Sequence, residues 1–202
     1  QLAPHQLVTD AVHQQGGKIA LQILHTGRYS YQPDLVAPSA IQSPITPFMT
    51  RAMSHEQIEQ TIDDYIRCAQ LAQKAGYDGV EIMGSEGYLI NQFLVNHTNQ
   101  RDDQWGGNIE NRCRFPLRIL KGIKKAVGEK FIIIYRLSML DLIKDGPDAS
   151  ELLYLANAIE KAGATMINTG IGWHEARIPT IATMVPRGQF ANVTRELMGK
   201  VN

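Results

Sequence analysis

Residues 78–107, DGVEIMGSEGYLINQFLVNHTNQRDDQWGG, decide how this chain is read. A short apolar strand, Gly79 to Met83, runs into Gly84-Ser85-Glu86-Gly87, which sets Tyr88 at the first turn of a helix, and a polar stretch follows from Asn99 to Gly107. A parallel strand that feeds a helix through a glycine turn is where α/β enzymes place their chemistry, because the carboxyl ends of such strands converge on one crevice. Tyr88 stands at that address.

Outward from this stretch, the same unit recurs. Leu71 to Ile82 (LAQKAGYDGVEI) and Ala158 to Asn168 (AIEKAGATMIN) repeat each other as helix end, glycine stop and buried strand. Upstream, Val8 to Gln15 reads as the tail of a helix that closes at Gly16-Gly17, and Lys18 to Leu24 as a strand. The stretch from His25 to Met53 holds Pro33, Pro38, Pro44 and Pro47, too interrupted for a helix and too long for an idle connector, so it is expected to be a functional loop over the strand ends. Ser54 and Gln57 form a capping box, after which Ile58, Ile62, Tyr65, Ile66, Ala69 and Ala72 recur at helical spacing up to Gly76. Downstream come a helix from about Asn108 to Val127 that Pro116 should kink, the strand Phe131 to Leu137, a helix from Ala149 to Ala162, the strand Thr165 to Thr169, and a last helix starting near the end of the sequence. Near-continuous apolar strands separated by helices imply parallel pairing covered by helices on at least one face. The fold class is α/β. A complete (β/α)8 barrel takes about 250 residues, so the expectation is a partial TIM barrel of about four consecutive βα units, its middle, although a doubly wound sheet also fits.

Composition sets bounds. The chain has 202 residues, 44% of them hydrophobic, and its 20 basic and 20 acidic residues cancel. That balance gives no electrostatic reason to expect nucleic acid or an anionic membrane as partner, and no apolar run approaches the roughly 20 residues needed to span a bilayer. Cys68 and Cys113 lie far apart in helix-like segments without metal-ligand spacing, as expected of reduced thiols in a cytoplasmic protein. The sequence starts at Gln1 with neither an initiator Met nor a signal peptide, and is expected to be an interior excerpt of a longer protein.

Polar residues interrupt or follow the strands. Gln22 breaks IALQIL, and a buried amide without partners costs roughly 1–3 kcal/mol; either neighbouring backbone or the pyrimidine edge of a flavin would satisfy it. Arg136 follows FIIIY as a charge that cannot be neutralised, so it needs an internal carboxylate or a ligand that gains negative charge. His25 follows the first strand and His174 the last. Either could be a structural group, but with Tyr88 they put acid–base groups at three strand ends. A tyrosine of ordinary pKa near 10 stays protonated at neutral pH and can serve as a general acid assisted by a histidine; otherwise Tyr88 packs the barrel rim. No GxGxxG or P-loop follows a strand, no lysine of the Schiff-base type stands at a strand end, and no metal triad is evident.

Five stretches carry a family resemblance: Gln22-Ile-Leu-His-Thr-Gly-Arg28, Met83-Gly-Ser-Glu-Gly-Tyr-Leu-Ile-Asn91, Asn99-Gln-Arg-Asp-Asp-Gln-Trp-Gly-Gly107, Tyr135-Arg-Leu-Ser138 and Gly170-Ile-Gly-Trp-His-Glu-Ala-Arg-Ile-Pro179. Together they span essentially the whole chain, which resembles the flavin-dependent 2,4-dienoyl-CoA reductases, NADPH-using members of the old yellow enzyme family. The QxxHxGR-like and NxRxDxWGG-like patterns mark the broad family, whereas MGSEGYLIN and GIGWHEARIP are far more specific. The resemblance implies that residues 1–202 are a single fragment of an FMN-binding (β/α)8 barrel domain. It assigns Gln22 and Arg136 to the flavin, Tyr88 to proton donation assisted by His174, and Glu175, Ala176, Arg177 and Ile178 to the acyl-CoA pocket. The implied reaction, part of unsaturated fatty acid β-oxidation, passes NADPH electrons through FMN to the far carbon of a conjugated dienoyl thioester, after which the tyrosine–histidine pair protonates the dienolate.

Ordinary ene-reductases of this fold carry a His/His or His/Asn pair, three residues apart before the Gly-Tyr, that grips a carbonyl oxygen. Here those positions are Met83 and Glu86, which makes a generic enone reductase less favoured, and His97 stands where relatives often carry a basic residue or proline, which leaves that loop's substrate contact open. The resemblance also implies parts outside these 202 residues: the remaining barrel strands, a 4Fe-4S cluster, and FAD and NADPH domains. A chain limited to this stretch is expected to bind FMN poorly and to have no turnover. The alternatives are a reductase or dehydrogenase of the same fold with another substrate, and a non-catalytic (β/α) binding module.

Overall fold

The structure, a computed structural model, describes residues 2–201. Its main sheet has four strands, β1 (Ala20–Ile23), β4 (Gly79–Gly84), β5 (Ile132–Leu140) and β6 (Met166–Ile171), all parallel and adjacent in chain order. Three helices make the crossovers: α2 (His55–Lys74) between β1 and β4, α4 (Ile109–Val127) between β4 and β5, and α5 (Ala149–Lys161) between β5 and β6. The fold is therefore α/β with a parallel sheet, and the sequential order is consistent with an arc of a barrel.

Period-2 alternation separates two faces. On β4 and β5 the side chains of Val80, Ile82, Ile133, Tyr135 and Leu137 are fully buried. They pack with Ile58, Ile62 and Ala69 of α2, Phe115, Ile119 and Ile123 of α4, and Leu155 and Ile159 of α5 as one core. The opposite face carries Glu81, Ile134, Arg136 and Asn168, half-buried, and Gln22 and Met166, exposed. This corrects the reading of Gln22 as a buried amide: it occupies an exposed alternate position on β1, opposite the face packed against α2, α4 and α5.

The caps follow the sequence. Ser54 and Gln57 close a reciprocal capping box on α2, Asn108 accepts from the Asn111 N–H at the start of α4, and Asp148 accepts from the Ser150 and Glu151 N–H groups at the start of α5. The two repeated glycines, Gly76 and Gly163, sit at φ +89° and +110°, the left-handed backbone that ends each helix and turns the chain into its strand. α4 continues through Pro116 without a break.

Shorter elements and a leading helix complete the described residues. Helix α1 (Ala3–Gln14) precedes β1, anchored by the Thr9 hydroxyl donating to the Ala75 carbonyl at 2.8 Å. The proline-rich stretch contains a one-turn 3₁₀ helix (Gly27–Tyr29) and a small parallel pair, β2 (Leu35–Ala37) and β3 (Thr50–Ala52), that its prolines concealed. A short buried helix, α3 (Leu89–Leu94), follows Tyr88, and α6 (Ala191–Arg195) follows β6. Cys68 and Cys113 are free thiols, the second buried, and burial pushes its pKa up to about 12. Among the described residues no helix is long and apolar enough to cross a membrane, and no cluster of histidine, cysteine and carboxylate side chains could hold a metal.

Candidate active site

The carboxyl ends of the four strands border an open cleft of about 700 Å³. β4 ends at Gly84, and the turn Ser85-Glu86-Gly87 reverses the chain with Glu86 at φ +54° and Gly87 at φ +83°. A Cβ on Gly87 would stand 2.6 Å from the Tyr29 ring and 2.7 Å from Trp173, so only glycine lets these aromatics close on the turn. Tyr88 then caps α3 in extended backbone, which projects its phenol into the cleft. There its hydroxyl lies 2.8 Å from Nε2 of His174, carried by the loop after β6, with ring centroids 5.1 Å apart. Partial burial first, and the carboxylate of Glu86 second, raise the Tyr88 pKa above its ordinary value. The phenol is therefore a protonated hydrogen-bond partner at neutral pH.

Gln22 and Arg136 line the same cleft. Arg136 donates through Nε and Nη2 to the Glu86 carboxylate at 2.9–3.1 Å, which holds Glu86 in its left-handed conformation together with a 2.5 Å bond from the Ser85 hydroxyl. Its Nη1 has no partner among the described residues. Gln22 Nε2 donates to Glu81 at 2.6 Å, and Asn168 Nδ2 donates to the other oxygen of the same carboxylate at 2.6 Å. Neither the neighbouring backbone nor a buried core satisfies Gln22; a carboxylate on the next strand does. The reading of the residues missed Glu81, although a charged residue inside Gly79-Val-Glu-Ile-Met is the same kind of interruption as Gln22 and Arg136.

This donor set fits the edge of a flavin. Gln22 stands on the exposed lining with its Nε2 bonded to Glu81, and Arg136 brings a positive charge to the same lining with only Nε and Nη2 bonded to Glu86, which suits a ring edge of acceptors and a donor that becomes anionic when reduced.

The residues expected to line an acyl pocket divide. Ala176 and Ile178 border the cleft, beside Met83, Trp173, Pro179 and Ile181. Arg177 is exposed outside it. Glu175 turns away from the cleft altogether: its side chain is 8% exposed and accepts from Arg28 Nη2 at 2.5 Å and from the Tyr29 hydroxyl at 2.7 Å. A buried carboxylate needs a counter-charge, and Arg28, 1% exposed, supplies it. His25 also stands apart from the tyrosine–histidine pair. Its Nδ1 accepts the Gly27 N–H at 3.0 Å, burial lowers its pKa, and it borders a separate small depression with Asp64 and Tyr65. His97 does not reach the cleft lining.

The NQRDDQWGG stretch is scaffold. Asn99 donates to the Phe93 and Trp105 carbonyls, Arg101 donates to those of Pro38 and Met53, and the buried Trp105 indole donates to His55 at 3.0 Å, fastening the proline-rich stretch to the helices behind the cleft.

The model of the family described as NADH:flavin oxidoreductase / NADH oxidase matches residues 1–201. Among relatives, the "Metal reductase" of Desulforamulus reducens is 38% identical over 189 residues, which cover 91% of this chain and 28% of that protein. The solved 2-naphthoyl-CoA reductase in complex with 2-naphthoyl-CoA superposes with a TM-score of 0.92 at 33% identity, covering 98% of this chain and 33% of that one. Morphinone reductase with tetrahydroNAD gives 0.76 at 34% identity, over 84% of this chain and 53% of that one. The chain thus spans a third or less of the first relative and the first structure. With the match to the family model running from the first residue to the penultimate one, the chain belongs to the NADH:flavin oxidoreductase / NADH oxidase family, that of old yellow enzyme.

Proposed function

We propose that these residues are four consecutive βα units from the middle of an FMN-binding (β/α)8 barrel in a cytoplasmic, NADPH-dependent reductase of 2,4-dienoyl-CoA thioesters. The observation that carries this reading is the 2.8 Å contact between the Tyr88 hydroxyl and His174 Nε2, on the same cleft that Gln22 and Arg136 line. FMN, when bound, supplies a hydride to the electron-poor end of the conjugated diene. Everything else falls to the side chains. Tyr88 donates its proton to the dienolate carbon, and His174 hydrogen-bonds the phenol and returns a proton to it. Gln22 and Arg136 orient the flavin, with Arg136 offsetting negative charge. Met83, Trp173, Ala176 and Ile178 give the acyl portion an apolar wall.

Two observations favour a thioester over a simple enone. Glu86 is spent on Arg136 and Met83 has no donor, so the positions three residues apart before Gly87-Tyr88 offer no clamp for a carbonyl oxygen. The aromatic acyl-CoA reductase also superposes over more of the chain, and with a higher TM-score, than morphinone reductase does. The rest of the barrel, an iron–sulfur cluster and FAD and NADPH domains belong, on this reading, to other parts of the parent protein.

In the flavin-loaded full-length protein, Tyr88→Phe should slow the protonation step by about 10²–10⁴ while leaving flavin reduction by NADPH intact. Unchanged turnover would remove Tyr88 from the mechanism. Faster oxidation of the reduced flavin by a cyclic enone than by a dienoyl-CoA, followed by stopped flow, would select the ene-reductase reading instead.

A further inference from the structure

Tyr88 and His174 belong to two loops with little regular structure of their own. Tyr88 begins a six-residue helix, and His174 lies in the irregular stretch between β6 and α6. Yet their polar atoms sit at hydrogen-bond distance, so something else must fix the separation. Three residues outside the reacting pair do so. Arg28 and Tyr29, in the 3₁₀ turn after β1, both donate to the same oxygen of Glu175, the residue next to His174. The Tyr29 ring meets the other three aromatic groups of the site edge-on, with centroids 6.2 Å from Tyr88, 5.8 Å from His174 and 6.2 Å from Trp173. Arg28 is fixed in turn: its Nη1 donates to the Gln42 carbonyl at 3.2 Å and its backbone N–H to the Gln92 side chain at 3.2 Å.

Burying such an ion pair is weak evidence for added stability, because desolvation offsets the attraction. Its better-attested use is to specify one arrangement over its neighbours. Here the arrangement specified is the depth at which His174 approaches Tyr88. A displacement of about 1 Å in a reacting group can cost about 10²-fold in rate, which makes the geometry worth this local expense.

We infer that Arg28, Tyr29 and Glu175 form a positioning clamp that holds His174 Nε2 on the Tyr88 hydroxyl, and that Glu175 acts through His174 without touching substrate. The functional consequence rests on the proton-donor reading given above; the structural one does not.

The test compares Glu175→Gln with wild type in the flavin-loaded full-length protein by ¹⁵N NMR of the His174 imidazole and by steady-state kinetics. The clamp predicts loss of the hydrogen-bonded Nε2 signature and a fall in kcat of about 10²-fold with KM for the acyl-CoA unchanged. A raised KM with kcat and the His174 signal intact is the mark of a substrate contact and would overturn it. In a His174→Ala background, Glu175→Gln should add little further loss. If Glu175→Gln does not fold, Tyr29→Phe removes a single donor while keeping the charge pair, and the same two readouts decide. If Tyr88→Phe proves inert, the proton-donor reading falls, and the His174 signal alone still decides the clamp.

Discussion

Two arginine–glutamate pairs flank the cleft, and they differ in how completely each guanidinium is enclosed. Arg28 and Glu175 are 1% and 8% exposed in their side chains, with the Tyr29 hydroxyl on the same carboxylate. Arg136 and Glu86 are 30% and 13% exposed and bidentate, on the lining of the cleft. Arg28 stands in the 3₁₀ turn after β1 and Arg136 within β5, and each is a cation that must find an anion. The closed pair ties two loops together, whereas the open one stands on the cleft lining, partly solvated.

The largest effect should come from opening the closed pair. Arg28→Ala leaves Glu175 buried without a counter-charge and should cost about 3–5 kcal/mol, read as a lower urea midpoint. Arg136→Ala should cost less than about 1 kcal/mol by the same measurement, because its pair is partly solvated. In the flavin-loaded protein, however, it should weaken FMN binding by roughly 10- to 100-fold through loss of a charge-assisted bond, measured by fluorescence titration. Equal stability losses at the two positions would erase the distinction between them.

Glu86→Gln should act most gently. The Glu86 charge is one of the two causes that raise the Tyr88 pKa, the other being burial. Removing that charge should lower the phenol's pKa while burial keeps it above the ordinary tyrosine value. The phenol would stay protonated at neutral pH, and the alkaline limb of proton delivery would move to lower pH. An ultraviolet titration against a Tyr88→Phe blank reads this directly, and a pKa that stays put would show that the Glu86 field does not reach Tyr88.

Periodicity and punctuation made much of the fold legible. The Ser54 box, the repeated glycines at 76 and 163 and the apolar runs placed three helices and four strands within a few residues of their observed bounds. The β2–β3 pair was hidden because three-residue strands leave no pattern among prolines. For the site, the polar interruptions were legible and their partners were not. Gln22 was found as an anomaly, but its answer, Glu81, lies 59 residues away, and register alone brings the two together. The family resemblance placed Glu175 in the acyl pocket beside its sequence neighbours, whereas its carboxylate pairs with Arg28 and Tyr29. Successive residues in an irregular loop can face opposite ways, and its ionic partner Arg28 is 147 positions distant.

The unbroken strand order also bears on how the molecule comes into being. Each strand of the main sheet pairs with the next one made, Ala20 with Gly79, Gly79 with Ile132, Ile134 with Met166, and none must insert between two already joined. Such a sheet can grow along one edge in the order of translation, N-terminal units first. A nascent chain released only as far as Lys161 would already hold the Tyr88 turn on its strand, with His174 still to be threaded out. The Tyr88–His174 contact is completed only when the last strand docks, so an unfinished chain carries the phenol without its imidazole partner.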